Sequence, residues 1–134
     1  MTKKLVVQAL LLTLLLGLGA VAHAQVSTTG SIGGTVRDPQ GAAVPNAEVT
    51  VLEETTGLTR TVTANDEGVY IIAGIPAGRY TVSTAPAGFK KTVNPGIQLH
   101  VAERLVLDIT LEVGAVGETV TVTGEAQLVE TRNS

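Results

Sequence analysis

The stretch GVYIIAGIPAGRYTVSTAPAGF, Gly68 to Phe89, decides how the rest of the chain is read. Two apolar runs are separated by Pro76-Ala77-Gly78, and the second is closed by Pro86-Ala87-Gly88. Proline presets the first dihedral of a turn and glycine accepts positive φ, so each triplet is a place for the chain to reverse. Val69, Ile71 and Ile72 form the densest apolar patch of the sequence, which reads as a central strand. Tyr80 and Val82 share a face, the period-two signature of a strand with one side buried. Both tyrosine rings are expected in a core, with their hydroxyls near its rim, where the polar tip need not be stranded.

The same alternation extends in both directions. Upstream, Ile32 and Val36 lie on one face with Gly34 between them, where an in-strand glycine marks a bulge or a close backbone approach. Val49 and Val51 alternate with Thr50 and Leu52, and Leu58, Val62 and Ala64 oppose Thr59, Thr61 and Thr63. Downstream, Leu105, Leu107, Ile109 and Leu111 alternate with Val106, Asp108, Thr110 and Glu112. Asp38-Pro39-Gln40-Gly41, Pro45-Asn46, Thr56-Gly57, Asn65-Asp66-Glu67-Gly68 and Asn94-Pro95-Gly96 supply turns between the runs. Roughly seven short strands at about 8–12-residue spacing predict an all-β, seven-stranded antiparallel Greek-key β-sandwich.

The N-terminus has a different grammar. Lys3 and Lys4 precede an apolar run from Leu5 to Ala20, and Ala22-His23-Ala24 follows. A basic start, an apolar core and an A-x-A site predict a helical secretory signal peptide over 1–24, cleaved after Ala24, with Ala22 and Ala24 as the cleavage residues. The run is short of the roughly 20 apolar residues that a spanning helix needs. The chain is therefore expected to be exported, to the periplasm or the outer membrane.

Composition narrows the function further. Nine basic residues less Lys3 and Lys4 leave seven against twelve acidic ones, a formal net charge of about −5 for the mature chain. Nucleic acid rewards a basic stripe and anionic lipid a basic cluster, so neither partner is expected. There is no cysteine, so an exported domain must be held by packing alone. Histidine occurs only at 23 and 100, too few for a zinc peptidase centre, and His100 reads as a partly exposed strand residue. Glu53-Glu54 and Asp66-Glu67 flank turns without the D-x-D-x-D spacing of a calcium loop, and read as solvated. No glycine-rich phosphate motif is present. No catalytic residue, metal site or cofactor is expected, and the chain is read as a non-enzyme.

Several motifs in order carry a family resemblance. Gly34-Thr35-Val36 leads to Asp38-Pro39-Gln40-Gly41 and then Val44-Pro45-Asn46-Ala47, and TANDEGVYIIAGIPAGRYTVSTAPAGF follows. Over about residues 30–113 the chain resembles the carboxypeptidase regulatory-like domain, a transthyretin-like β-sandwich. The fold is grafted onto many proteins, so the resemblance speaks to architecture more than to activity.

The tail completes the organisation. After a linker at 25–29 and the sandwich at 30–113, residues 114–134 read as an extended linker. Within it Glu118-Thr119-Val120-Thr121-Val122-Thr123-Gly124 resembles the TonB box of TonB-dependent receptors, with Gly124 where alanine is more usual. β-Branched threonines and valines favour an extended strand, and Gly114, Gly117 and Gly124 flank it as hinges. Such a segment can pair its backbone with a partner's sheet edge, or it can add an edge strand to the sandwich itself. The glycine boundary after Val113 favours the first reading, with a TonB-like energy-coupling protein as partner. The order of signal, sandwich and coupling segment resembles the start of an Oar-like receptor, whose plug and barrel would follow if the chain is a fragment. Two alternatives stand beside it, a carbohydrate-binding (starch-binding-like) module and a stand-alone periplasmic structural or adhesive module.

Overall fold

Period-two burial runs through most strands of the computed structural model, which describes residues 2–16, 28–115 and 117–123. Helix α1 (Thr2–Leu16) follows from a leucine-rich stretch free of glycine and proline, and it leaves Leu5, Leu10 and Leu12 exposed. No helix among the described residues is long and apolar enough to cross a membrane. The expected cleavage residues Ala22 and Ala24, residues 25–27, and the tail from Gly124 onward lie outside the described residues.

Among the described residues nine strands follow: β1 (Thr29–Arg37), β2 (Glu48–Glu53), β3 (Thr59–Thr63), β4 (Val69–Pro76), β5 (Gly78–Thr84), β6 (Lys91–Leu99), β7 (Arg104–Val106), β8 (Ile109–Thr110) and β9 (Thr119–Thr121). They form two sheets, one in the order β4-β1-β7 with β8 also on β1, the other in the order β3-β2-β5-β6-β9. Ile32, Val36, Tyr70, Ile72, Leu105 and Ile109 from the first sheet meet Val49, Val51, Tyr80, Val82, Ile97 and Leu99 from the second. The chain is thus an all-β sandwich around one core of aliphatic side chains and two tyrosine rings.

β7 and β8 keep the same register along β1, with Ser31 opposite Arg104 and Val36 opposite Ile109, so they are one strand interrupted at Leu107–Asp108. Counted that way, seven strands build the sandwich and β9 is added at an edge. Three pairings depart from the antiparallel expectation: β1–β7, β1–β8 and β6–β9 are parallel. β7 enters the first sheet from β6 in the second, through the His100–Glu103 turn, and a strand that crosses over has no hairpin to impose antiparallel pairing.

Glycine explains why β1 takes the centre. A Cβ on Gly34 would lie 2.0 Å from the Leu107 carbonyl oxygen, and one on Gly30 would lie 2.8 Å from that of Glu103. Only a side-chain-free strand lets neighbours approach so closely. The apolar density of β4 suggested a central strand, yet β4 is an edge whose Ile71 is 65% exposed. Leu107 also departs from expectation. It is half-buried, because the chain breaks there to tuck its carbonyl over Gly34, where the Tyr70 hydroxyl donates to it at 2.6 Å. Asn94-Pro95-Gly96, expected as a turn, is a bulge inside β6. The register shifts there against β5, and Gly96 takes φ 72°.

Candidate partner-binding edge

Past Val113, where the sequence marks a boundary, the chain returns to the second sheet. Phe89 bridges Val113, and the Lys90 N–H donates to Glu112 O at 2.8 Å. Gly117 takes φ 104°, a left-handed conformation that suits glycine, and Thr119–Thr121 then runs parallel to Lys91–Val93. The segment expected as part of an extended linker is therefore an edge strand in this structure. Of the residues named for it, Glu118 to Thr123 are placed on this edge and Gly124 lies outside the described residues.

The ladder assigns a direction to each main-chain group. The Lys91 N–H donates to Glu118 O at 2.8 Å, and the Val122 N–H donates to Val93 O at 2.9 Å. In a parallel ladder alternate residues face the same neighbour, so Glu118, Val120 and Val122 turn toward β6. The N–H and C=O groups of Thr119, Thr121 and Thr123 then face outward and form the open edge of the second sheet.

Attachment of β9 is slight. Val120 is half-buried, Thr119 and Thr121 are exposed, and Val122 is 43% exposed. Lys90 Nζ sits 3.4 Å from Glu112 Oε2 and 3.6 Å from Glu118 Oε2, with both carboxylates largely in solvent. Exposed ion pairs of this kind contribute up to about 1 kcal/mol each. Nothing in β9 resembles the buried rows of β2 or β5.

The acidic residues near β2 serve the fold. Glu53, expected in a solvated turn, is 5% exposed, because its carboxylate folds back to accept from the Thr56 hydroxyl and N–H across the β2–β3 hairpin. Those bonds hold its pKa below the usual carboxylate value. Glu54 accepts from the Gly96 N–H at 3.0 Å and the Thr81 hydroxyl at 2.9 Å, with Arg79 Nε at 3.4 Å, and its pKa is likewise lowered. It ties the β6 bulge to the neighbouring hairpin. An open cleft of about 460 Å³ lies beside Glu53, Thr56, Gly78, Arg79 and Gln98. No aromatic side chain lines it.

The aromatics point elsewhere. Tyr80 is fully buried and donates its hydroxyl to Pro76 O at 2.7 Å, Tyr70 is 2% exposed, and Phe89 packs partly buried against the core. Burial first, and the nearby Asp108 carboxylate second, push the Tyr70 phenol well above the ordinary tyrosine pKa. Both hydroxyls end on main-chain carbonyls rather than in solvent at a rim. His100 is exposed and pairs with Glu103 at 3.0 Å, which also accepts the His100 N–H, so the two close the β6–β7 turn. Among the described residues no group of three His, Cys, Asp or Glu side chains is placed to hold a metal ion.

The model of the carboxypeptidase regulatory-like domain family matches residues 31–112, more than half of the chain. No curated protein matches the sequence. Among solved structures, the Bacillus anthracis TIE protein is similar at 26% identity and TM-score 0.55, over 64% of this chain and 17% of that one. A Bacteroides uniformis protein described as a candidate carbohydrate-binding protein matches at 20% identity and TM-score 0.52, over 61% of this chain and 40% of that one. Catechol 1,2-dioxygenase from Pseudomonas arvilla matches at 11% identity and TM-score 0.54, over 72% of this chain and 56% of the enzyme. At such identities the last two matches show a shared fold. The chain spans less than two thirds of each of these proteins.

Proposed function

The chain belongs to the carboxypeptidase regulatory-like domain family, and on that premise we propose that it is a non-catalytic accessory and binding domain at the N-terminal end of a TonB-dependent outer-membrane receptor. In this reading α1 belongs to an export signal, the sandwich stands on the periplasmic side, and a plug and barrel follow in the full receptor. Residues Glu118 to Gly124 are the segment that a TonB-like energy-coupling protein captures by adding a strand. One observation carries the partner reading: the outward N–H and C=O groups of Thr119, Thr121 and Thr123 form an accessible strand edge on a lightly held segment. Main-chain bonds of this type give affinity with little demand on side chains. A sugar-binding reading has less support, since all three aromatics pack in or against the core and the cleft beside Glu53 offers no stacking surface.

Proline separates the two edges of β9. Thr121 turns its N–H outward, so Thr121→Pro removes a donor that the partner needs and leaves the bonds to β6 in place. Titration of a TonB-like periplasmic domain against the chain from Gln25 onward should give saturable binding that Thr121→Pro weakens at least tenfold. Thr61→Ala, on the far edge of the same sheet, should bind as the parent does. Equal binding by the Thr121→Pro variant and the parent would refute the assignment.

A further inference from the structure

We infer that β4 is a self-recognition edge, through which two copies of this chain pair their first sheets across a two-fold axis. The inference is independent of the coupling segment and lies on the other sheet. The described strands leave four sheet edges, and they are not alike. β9 aside, which is the edge given above to the coupling partner, β3 is polar and carries Arg60 and the β7–β8 edge is broken at Leu107–Asp108. Such features protect an edge from unwanted pairing. β4, in contrast, runs Val69–Pro76 with no charged residue, and exposes Val69 at 42% and Ile71 at 65%.

The register shows which groups are available. The Val36 N–H donates to Gly68 O at 2.8 Å, which makes Thr35 and Val69 a non-hydrogen-bonded pair. Tyr70 and Ile72 therefore turn their main-chain groups toward β1, while Val69, Ile71 and Ala73 turn theirs outward. Val69 is already satisfied, its N–H by Asn65 Oδ1 at 3.0 Å and its carbonyl by the Asn65 N–H at 2.9 Å. Beyond Ala73 the strand bulges at Gly74, which takes φ 68° and ends the regular ladder. The outward ladder thus reduces to two donors and two acceptors, on Ile71 and Ala73, with no partner among the described residues.

Those four groups are complementary to themselves. In an antiparallel pair centred on Ile72, Ile71 of one copy lies opposite Ala73 of the other, and each pair exchanges two hydrogen bonds. All four groups on each copy are satisfied, and the strand brings no like charges together. Ile71 also gains cover from its two-fold mate on the outer face, where it now stands beside Gly33 and Val106. An isologous contact of this kind closes on itself, so it gives a dimer and not a fibre. The contact is small, and interfaces well below about 1,200 Å² are weak. The dimer is therefore expected at high concentration only.

The core cluster draws no residue from α1 among the described residues, so the chain from Gln25 to Ser134 carries the folding unit. Sedimentation velocity on that chain, from about 10 μM to about 1 mM, spans the dissociation constants that such a weak contact implies. The weight-average mass should rise from monomer toward dimer over that range. Ile71→Lys sets two like charges beside the axis, and Ala73→Pro removes an outward donor. Each should hold the mass at monomer throughout and keep the melting temperature within a few degrees of the parent. A parent that stays monomeric to the highest concentration, or a dimer that survives both substitutions, would overturn the inference. Thr121→Pro should leave the dimer unchanged, which separates this result from that of the coupling segment.

Discussion

Among the described glycines, Gly34 should tolerate replacement by alanine least. The added Cβ would stand 2.0 Å from the Leu107 oxygen, 2.5 Å from its carbonyl carbon and 3.1 Å from the Asp108 nitrogen. All three are main-chain atoms, so no rotamer relieves the contact. Reaching ordinary separation moves the β7–β8 junction by more than about 1 Å, and overpacking of that kind costs about 1–3 kcal/mol. The same movement strains three bonds: Tyr70 hydroxyl to Leu107 O at 2.6 Å, Leu107 N–H to Gly33 O at 2.7 Å, and Thr35 N–H to Asp108 Oδ1 at 2.8 Å. Losing one or two of these adds about 1 kcal/mol each, for a total of about 2–5 kcal/mol. A domain of about 100 residues loses about 4–8 °C per kcal/mol, so the melting temperature should fall by at least about 8 °C. Urea melts of the chain from Gln25 give the free energy directly, and Tyr70→Phe supplies a reference. That variant removes the hydroxyl alone and leaves a buried carbonyl without its donor, a loss of about 1–3 kcal/mol. The two should be less than additive, because alanine at 34 already displaces Leu107. A cost for Gly34→Ala below about 1 kcal/mol would mean that the junction is slack, and the account of β1 would fail.

Three further outcomes follow from the packing and the carboxylates. Leu99→Ala, at a fully buried position, should cost about 2–5 kcal/mol, whereas Thr61→Ala, which loses only an exposed contact of 2.9 Å to Thr50, should stay within about 0.5 kcal/mol; equal effects in urea would invert the assigned faces. Glu53 and Glu54 have folded pKa values below their unfolded ones, so their contribution is complete above the ordinary carboxylate pKa and is lost as the pH falls through the depressed values. Melting temperature should therefore drop on acidification below about pH 4.5, and Thr56→Val, which removes the hydroxyl bond to Glu53, should flatten that drop; an unchanged slope would refute the link. Far-UV circular dichroism and melting should be indifferent to EDTA, since Glu53 and Glu54 are taken up by Thr56, Thr81 and Gly96; a lower melting temperature in chelator would point to a structural metal.

Much of the sandwich was legible because burial alternates with sequence parity. Val49 and Val51, Tyr80 and Val82, and Leu105, Ile109 and Leu111 all lie where period two puts them. Gly34 announced a close approach, though not to which strand. What parity cannot convey is order within a sheet. β4 is richer in apolar residues than β1, yet β1 sits between two neighbours, because its glycines admit carbonyls from both sides. Proline and glycine likewise signal a reversal whether the chain turns or only bulges, and Pro95-Gly96 bulges. Glu53 looked solvated because Thr56, three residues on, gives no sign in the sequence of folding back onto it. The edge at Thr119–Thr121 was visible as a strand-former, but its docking on β6 depends on the chain turning at Gly117, which residue types alone do not specify.

Amide hydrogen exchange resolved by NMR tests the central claim most directly. In the chain alone, the Val120 and Val122 amides, which face β6, should exchange more slowly than those of Thr119, Thr121 and Thr123, which face solvent. On saturation with a TonB-like periplasmic domain, the three threonine amides should become protected, as an added strand would bond them. Threonine amides that exchange at the same rate with and without the partner, while binding is saturated, would contradict the account.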